Sequence, residues 1–192
     1  MIVSKIEAAV AQIKTAVELY FSNGDPIAIH VLTMSSNDVM RSMMKHVHDI
    51  SMMREFEFLA TKDARKQARD AVNEAYNAFK HSDKDPDPRG LILLNPKATE
   101  ILLFESCYYV EKLQPVPILL LKLYIAWFAT WNEVAANTYK DYPEFGKFNE
   151  IRSQFNQDQK VAFYTSHKSS LSQILIRHEG PAFCDLIDIL LN

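Results

Sequence analysis

The feature that most constrains this fold is an apolar stripe near the start of the chain. Its members recur in alternating steps of four and three residues, the spacing of one face of an α-helix: Ile6, Val10, Ile13, Val17 and Tyr20. A helix is therefore predicted over about 4–22. Asn23-Gly24-Asp25-Pro26 then predicts a sharp turn into a second helix. In this turn the glycine can adopt positive φ, the aspartate can cap free amides and the proline suits a first helical turn.

Helical spacing continues through most of the remaining sequence. The second helix runs from Ile27 to Val47, and the weak helix formers Ser35 to Asp38 predict fraying or a kink in its middle. The capping pairs Asn95-Pro96 and Gly180-Pro181 mark two later helix starts. Further helices are predicted near 62–80, 97–113, 116–137, 159–178 and 181–191, with loops near 82–95 and 138–147.

These patterns predict an all-α fold, a helical bundle of about seven or eight helices. We expect a single domain over 1–192, or two closely packed halves joined by the 82–95 loop. The strongest strand signal is Leu91-Ile92-Leu93-Leu94, which predicts a short extended segment packed against the core, too isolated to build a sheet. Four glycines and no internal repeat argue against a glycine-rich phosphate loop or a repeat array.

Composition and charge indicate which partners and which cellular compartment to expect. The formal charge of −3 gives no general attraction to nucleic acid or anionic lipid, although it leaves room for a local patch. The run from Val116 to Trp131 is shorter than the ~20 residues that cross a bilayer, so no membrane association is expected. Cys107 and Cys184 lack CxxC spacing and are predicted as buried thiols of a reducing compartment. With no secretory signal, we expect a cytoplasmic protein.

The predicted helix over 62–80 carries a polar ridge. Arg69, Asn73 and Asn77 recur every four residues and lead towards Lys80 and His81. Asparagine is a poor helix former, so the two mid-helix amides predict hydrogen bonds to a neighbouring element. A network between helices is the first interpretation. The alternative is a ligand site formed by these five residues.

An acidic loop follows this helix. Asp83, Asp85 and Asp87 are close enough in sequence to pair with Lys80 and His81 at the helix end. Alternatively, the three carboxylates form a site for a divalent cation, calcium or magnesium. Pro88 and Leu94 depart from the calcium-binding helix-loop-helix pattern, at the positions of its glycine and its last carboxylate. No other cofactor is expected.

The segment Asn77-Ala78-Phe79-Lys80-His81-Ser82-Asp83-Lys84-Asp85-Pro86-Asp87 resembles a stretch found in uncharacterised bacterial helical proteins. The likeness covers one helix end and its loop, and extends weakly to the Asn23-Gly24-Asp25-Pro26 turn. It implies relatedness without an activity.

A second motif lies in the second helix. Arg41-Ser42-Met43-Met44-Lys45-His46 resembles the arginine–histidine motif of HEPN ribonucleases, helical domains that typically dimerise. The resemblance implies metal-independent RNA cleavage, in which Arg41 stabilises the phosphate and His46 assists proton transfer. Ser42 departs from the family, which favours a larger polar residue there. Five residues turn a helix by about 140°, so the pair converges only with a long reach, a distorted helix or a second subunit.

His48-Asp49, with His30 upstream, resembles the paired ligands of HD-type metal phosphohydrolases, which makes that class a third hypothesis.

The leading hypothesis is a helical interaction or small-ligand-binding protein that associates with itself or with a protein partner. RNA is the partner under the ribonuclease alternative. An aromatic stripe in the predicted helix near 116–137 is interpreted as a core spine, with a dimer interface as the alternative: Tyr124, Trp127, Phe128 and Trp131.

Overall fold

The computed structural model describes residues 2–47, 61–80, 91–116 and 118–132. In these ranges the chain forms five helices and no strand, which confirms the all-α prediction for this part of the protein. The helices are α1 Lys5–Phe21, α2 Pro26–Val47, α3 Lys62–Lys80, α4 Pro96–Leu113 and α5 Leu119–Trp131. The helices predicted at 159–178 and 181–191 lie outside the described residues, so the count of seven or eight stays a prediction.

Helix α1 begins with a reciprocal cap. The Ser4 hydroxyl accepts a hydrogen bond from the Glu7 backbone N–H at 3.2 Å, and the Glu7 carboxylate accepts one from the Ser4 N–H at 2.8 Å. The Ser4 hydroxyl also donates to the Glu7 carboxylate at 2.7 Å. This bond and the one from the Ser4 N–H favour the ionised carboxylate, so they lower the pKa of Glu7. The capping box satisfies two amides that a helix start leaves open, which explains why the helix begins within one residue of its predicted position.

The turn from α1 to α2 is a Schellman motif. Asn23 adopts the left-handed region at φ 54°, its N–H donates to Tyr20 O, and the Gly24 N–H donates to Leu19 O at 2.7 Å. The predicted turn is confirmed, but positive φ falls on Asn23 and not on the glycine. Gly24 is needed for space, because a Cβ there would lie 2.8 Å from Leu19 Cδ2. Asp25 then caps α2 by accepting from the Ala28 N–H at 2.8 Å.

Helix α2 is continuous through the segment predicted to fray or kink, so that prediction is wrong. Ser36 and Asn37 are fully buried, and both side chains bond to neighbouring helices. The Ser36 hydroxyl donates to Ala9 O at 3.0 Å, while the Asn37 amide donates to the Glu105 carboxylate at 2.8 Å. Tertiary hydrogen bonds thus offset the weak helix propensity of these residues.

The main core is built by α1, α2, α4 and α5. Tyr20 and Phe21 of α1 meet Tyr124 and Trp127 of α5 edge to face, with centroids 5.3 to 5.9 Å apart. Such pairs contribute about 0.5–1.5 kcal/mol each beyond their buried area. The predicted core spine is confirmed for three members of the stripe, which are buried: Tyr124, Trp127 and Phe128. Among the described helices, none combines the length and apolar character needed to span a membrane.

Helix α3 joins the bundle through a smaller apolar cluster. Val72 and Tyr76 of α3 are buried against Met34 of α2 and Leu102 of α4, and Ala68 packs against this cluster one turn earlier. This anchors one side of an otherwise polar helix.

The segment before α4 differs from its prediction. Leu91 and Leu93 are 101% and 83% exposed and Ile92 is 40% exposed, so these three side chains do not pack against the core as predicted, whereas Leu94 is half-buried. Cys107 is fully buried, as predicted, and burial raises the pKa of its thiol well above the usual value. Cys184 lies outside the described residues.

Candidate functional site

A cleft of about 260 Å³ opens where the α1–α2 turn faces the start of α4. Two stretches that are distant in sequence form its walls. One wall comes from the end of α1 and the start of α2, the other from the residues around the first turn of α4. The lining residues are Tyr20, Asn23, Gly24, Pro26 and Ile29 on the first side and Leu94, Pro96, Thr99 and Glu100 on the second.

Local capping holds the second wall in place. The Asn95 side chain accepts hydrogen bonds from the backbone N–H groups of Lys97 at 3.1 Å and Ala98 at 3.3 Å, and Pro96 occupies the first helical position. Asparagine before proline is a strong helix start, since it satisfies amides that the first turn leaves open. The α4 start is therefore as well defined as the Schellman turn opposite it.

Glu100 supplies the carboxylate of the cleft lining. Its side chain is half-buried, and its Oε1 accepts a hydrogen bond from the Tyr20 hydroxyl at 2.7 Å. The Tyr124 hydroxyl donates to the Glu100 backbone carbonyl at 3.1 Å. Both tyrosine rings belong to the aromatic core, 5.3 Å apart between centroids. Tyr20 of α1 thus holds the Glu100 carboxylate, while Tyr124 of α5 holds the backbone of the same residue.

Behind the lining, His30 orients Thr99. The Thr99 hydroxyl lies 2.9 Å from His30 Nδ1 and donates its proton to Asn95 O at 3.2 Å. Which of the two groups donates in the contact with His30 depends on the tautomer of the ring. His30 is 2% exposed. Its ring therefore supports the cleft wall from inside the core.

A second polar cluster lies between α2 and α4, enclosed in the protein. The Glu105 carboxylate, 1% exposed, accepts from Asn37 Nδ2 at 2.8 Å and from the Tyr109 hydroxyl at 2.9 Å. Asn37 Nδ2 also donates to Ser106 Oγ at 3.1 Å. Both carboxylate oxygens are satisfied, as a buried polar group requires. With no opening to solvent, this cluster positions α2 against α4 and does not form a binding site.

The predicted polar ridge lies on α3, away from the cleft lining. Asn73 and Arg69 are half-buried, whereas Asn77 and Lys80 are exposed. The amide hydrogen bonds predicted for Asn73 and Asn77, and the ligand site that is their alternative, stay predictions. Lys80 Nζ lies 5.3 Å above the centre of the Tyr76 ring. The remaining predicted members of the ligand and cation sites fall outside the described residues: His81, Asp83, Asp85 and Asp87.

Arg41 and His46 both lie in α2, and Arg41 is half-buried. Their five-residue step falls within one continuous helix, which turns by about 140° over that distance. The side chain of His46 lies outside the described part of the structure, so the role of the pair in catalysis stays a prediction. His48 and Asp49 lie outside the described residues. Within those residues, no group of three or more His, Cys, Asp or Glu side chains is placed to hold a metal ion.

The sequence predicts both ends of the cleft but not the cleft itself. The Asn23-Gly24-Asp25-Pro26 turn and the Asn95-Pro96 helix start are visible as local signals. Glu100 carries no signal of its own, since a glutamate in the second turn of a helix is usually solvated. Only the packing of α1 against α4 brings these segments together.

Comparison of the chain with protein-family models, with curated proteins and with solved structures found no match. The functional argument therefore rests on the geometry of the described residues.

Proposed function

We propose that this protein is a helical binding protein without catalytic activity, and that its cleft takes a small apolar molecule carrying a protonated amine. The observation that carries this proposal is the Glu100 carboxylate, held by the Tyr20 hydroxyl at 2.7 Å in the lining of the cleft. A few placed polar groups among apolar walls are the usual composition of small-molecule sites.

The lining supports the apolar part of this ligand. Ile29 and Leu94 contribute aliphatic surface, Pro26 and Pro96 contribute rings, and Tyr20 contributes an aromatic edge. The volume of about 260 Å³ lies just below the range of about 300–1,000 Å³ for drug-sized sites. This size suits an aryl or alkyl amine and is small for a nucleotide.

The carboxylate supports the charged part. An ammonium group has three donors and pairs with a carboxylate through charge-assisted hydrogen bonds. Tyr20 donates to the same carboxylate, which restricts its rotation and lowers the ordering cost of binding. A lysine side chain of a protein partner offers the same chemistry, so self-association or a protein partner would use the same cleft.

The proposal is tested by titrating the full-length protein with phenethylamine, N-acetylphenethylamine and 3-phenylpropionate, followed by calorimetry. We expect the amine to bind and both analogues to bind at least tenfold more weakly. Glu100→Gln keeps an acceptor for Tyr20 but removes the charge, so it should weaken amine binding roughly 10- to 100-fold, the range for hydrogen bonds to charged groups.

Two further variants make this test specific. Leu94→Trp enlarges a lining side chain without changing Glu100 and should block the cleft. Glu18→Gln, at an exposed position on α1, makes the same charge change away from the lining and should leave binding unchanged. Equal binding of all three ligands, or equal losses in Glu100→Gln and Glu18→Gln, would refute the proposed site. A lysine peptide that binds more tightly than phenethylamine would assign the cleft to a protein partner.

A further inference from the structure

The turn between α1 and α2 contains a chemically labile dipeptide, Asn23-Gly24. The backbone nitrogen of the residue after an asparagine can attack the carboxamide carbon of the asparagine side chain. Glycine permits this attack best, because it has no Cβ to crowd the approach. Of the asparagines in this sequence, only Asn23 is followed by glycine. The turn therefore carries the asparagine that is most prone to lose its side-chain amide.

Asn23 is also part of the candidate site. It is exposed and lines the cleft on the wall that faces Glu100. Its carboxamide is neutral, whereas the acid that replaces it is ionised at neutral pH. Loss of the amide would thus add a second carboxylate to a lining in which Glu100 supplies the first.

The folded turn opposes this reaction. The Gly24 N–H donates to the Leu19 carbonyl oxygen at 2.7 Å, and the Asn23 N–H donates to Tyr20 O at 3.3 Å. The Gly24 nitrogen cannot lose its proton and reach the Asn23 side chain while it makes the first of these bonds. Gly24 is also half-buried against Leu19, which leaves its backbone little room to rotate. The reaction therefore needs local opening of the turn, a transition that costs less free energy than global unfolding.

We infer that Asn23 is a modification site, at which the amide is lost when the α1–α2 turn opens locally. The Gly24 nitrogen bonds to the Asn23 carboxamide carbon, and its proton leaves with the side-chain nitrogen as ammonia. The product is a cyclic imide. Water then adds to one of the two imide carbonyl carbons, and the ring opens to aspartate or to isoaspartate, in which the main chain runs through the former side chain. In either case position 23 gains a negative charge.

The test is peptide mapping of the full-length protein by mass spectrometry, during incubation at neutral pH in buffer and in urea. In urea, position 23 should convert from amide to acid faster than Asn77, which precedes alanine. In buffer, conversion at position 23 should be about 5- to 150-fold slower than in urea, the range for two hydrogen bonds that must break first. A rate in urea no faster than that of Asn77 would overturn the site, and equal rates in buffer and urea would overturn its protection by the turn.

Two capping variants separate local opening from global unfolding. Asp25→Ala removes the acceptor for the Ala28 N–H and loosens the start of α2 beside the turn. It should accelerate conversion in buffer roughly 2- to 30-fold, as loss of an N-cap implies. The matched control, Asn95→Ala, removes the equivalent cap of α4 and should leave the rate at position 23 unchanged. Equal acceleration in the two variants would overturn local opening as the route.

The new charge also bears on amine binding, and this step rests on the proposed function. Asn23→Asp reproduces the charge, and aspartate, like asparagine, tolerates the left-handed region at φ 54°. The variant should bind phenethylamine about two- to fivefold more tightly than the unmodified protein, the range for an exposed ion pair. Unchanged or weaker binding would overturn this effect. Phenethylamine that binds neither protein would refute the proposed function and this effect with it, whereas the conversion rates would still decide the modification site.

Discussion

The Asn37 amide nitrogen lies 2.8 Å from a carboxylate oxygen of Glu105 and joins the middle of α2 to the middle of α4. Both residues are at most 1% exposed. Because neither polar group has access to bulk water, each needs hydrogen-bond partners inside the protein, and each supplies one to the other. The hydrogen bond between these two side chains therefore fixes the position of α2 along α4.

Asn37→Ala should destabilise the protein strongly. It removes a donor from a buried carboxylate and leaves a cavity, so we expect the free energy of unfolding to fall by about 2–4 kcal/mol. Urea denaturation followed by circular dichroism measures this change. Asn77→Ala is the matched control, because it makes the same substitution at an exposed helical position and should change stability by less than about 0.5 kcal/mol. Similar losses in the two variants would contradict the structural role of Asn37.

Gly24→Ala tests the Schellman turn. An added Cβ would lie 2.8 Å from Leu19 Cδ2 and 3.1 Å from the Leu19 carbonyl oxygen, so the turn must shift. We expect a loss of about 1 kcal/mol or more in thermal or urea unfolding. Asn23→Gly places glycine at the residue with φ 54° and should leave stability unchanged or slightly higher. The idea fails if alanine is tolerated at position 24 while glycine at position 23 destabilises.

The half-buried carboxylate of Glu111 should make stability depend on pH. Burial raises the pKa of Glu111 above its usual 4.5, although Lys122, 3.7 Å away, acts in the opposite direction. The folded state therefore holds this proton more tightly than the unfolded state. The resulting stabilisation is complete below pH 4.5 and is lost as pH rises through the raised folded value.

Glu111→Gln lacks this titration. As the pH rises from 4 to 7, the free energy of unfolding of the unmodified protein should fall relative to that of the variant. Urea denaturation at both pH values measures this change. Lys122→Ala removes the opposing positive charge and should steepen the pH dependence of the protein that retains Glu111. If the unmodified protein instead becomes more stable relative to Glu111→Gln as the pH rises, the ion pair with Lys122 has a larger effect on the pKa of Glu111 than burial has.

The ribonuclease hypothesis has its own test. Since Arg41 and His46 lie in one continuous helix, a single chain does not bring them together by helical geometry alone. We expect no metal-free cleavage of varied RNAs in the presence of a chelator. Cleavage that is lost in a folded Arg41→Ala/His46→Ala variant would replace the binding proposal with a catalytic one.

Much of the local structure follows from the sequence. The spacing of Ile6, Val10 and Ile13 predicts α1, and Asn95-Pro96 predicts the start of α4, because capping and helical periodicity act between residues close in the chain. The all-α class of the described residues follows from the same short-range rules. The predicted break in α2 is wrong because tertiary contacts decide which weak helix formers find buried partners. Ser36 and Asn37 find them, and α2 stays continuous.

By itself, the sequence determined where helices start and turn and which faces are apolar. Only the tertiary structure decided that Glu100 meets Tyr20 across 80 positions, that Asn37 meets Glu105 across 68, and that two turns enclose a cleft. Such contacts depend on how helices cross and on which side chains fill the space between them. Helix propensity and capping carry no information about crossing geometry, so both the cleft and the buried polar pair arise at the level of packing.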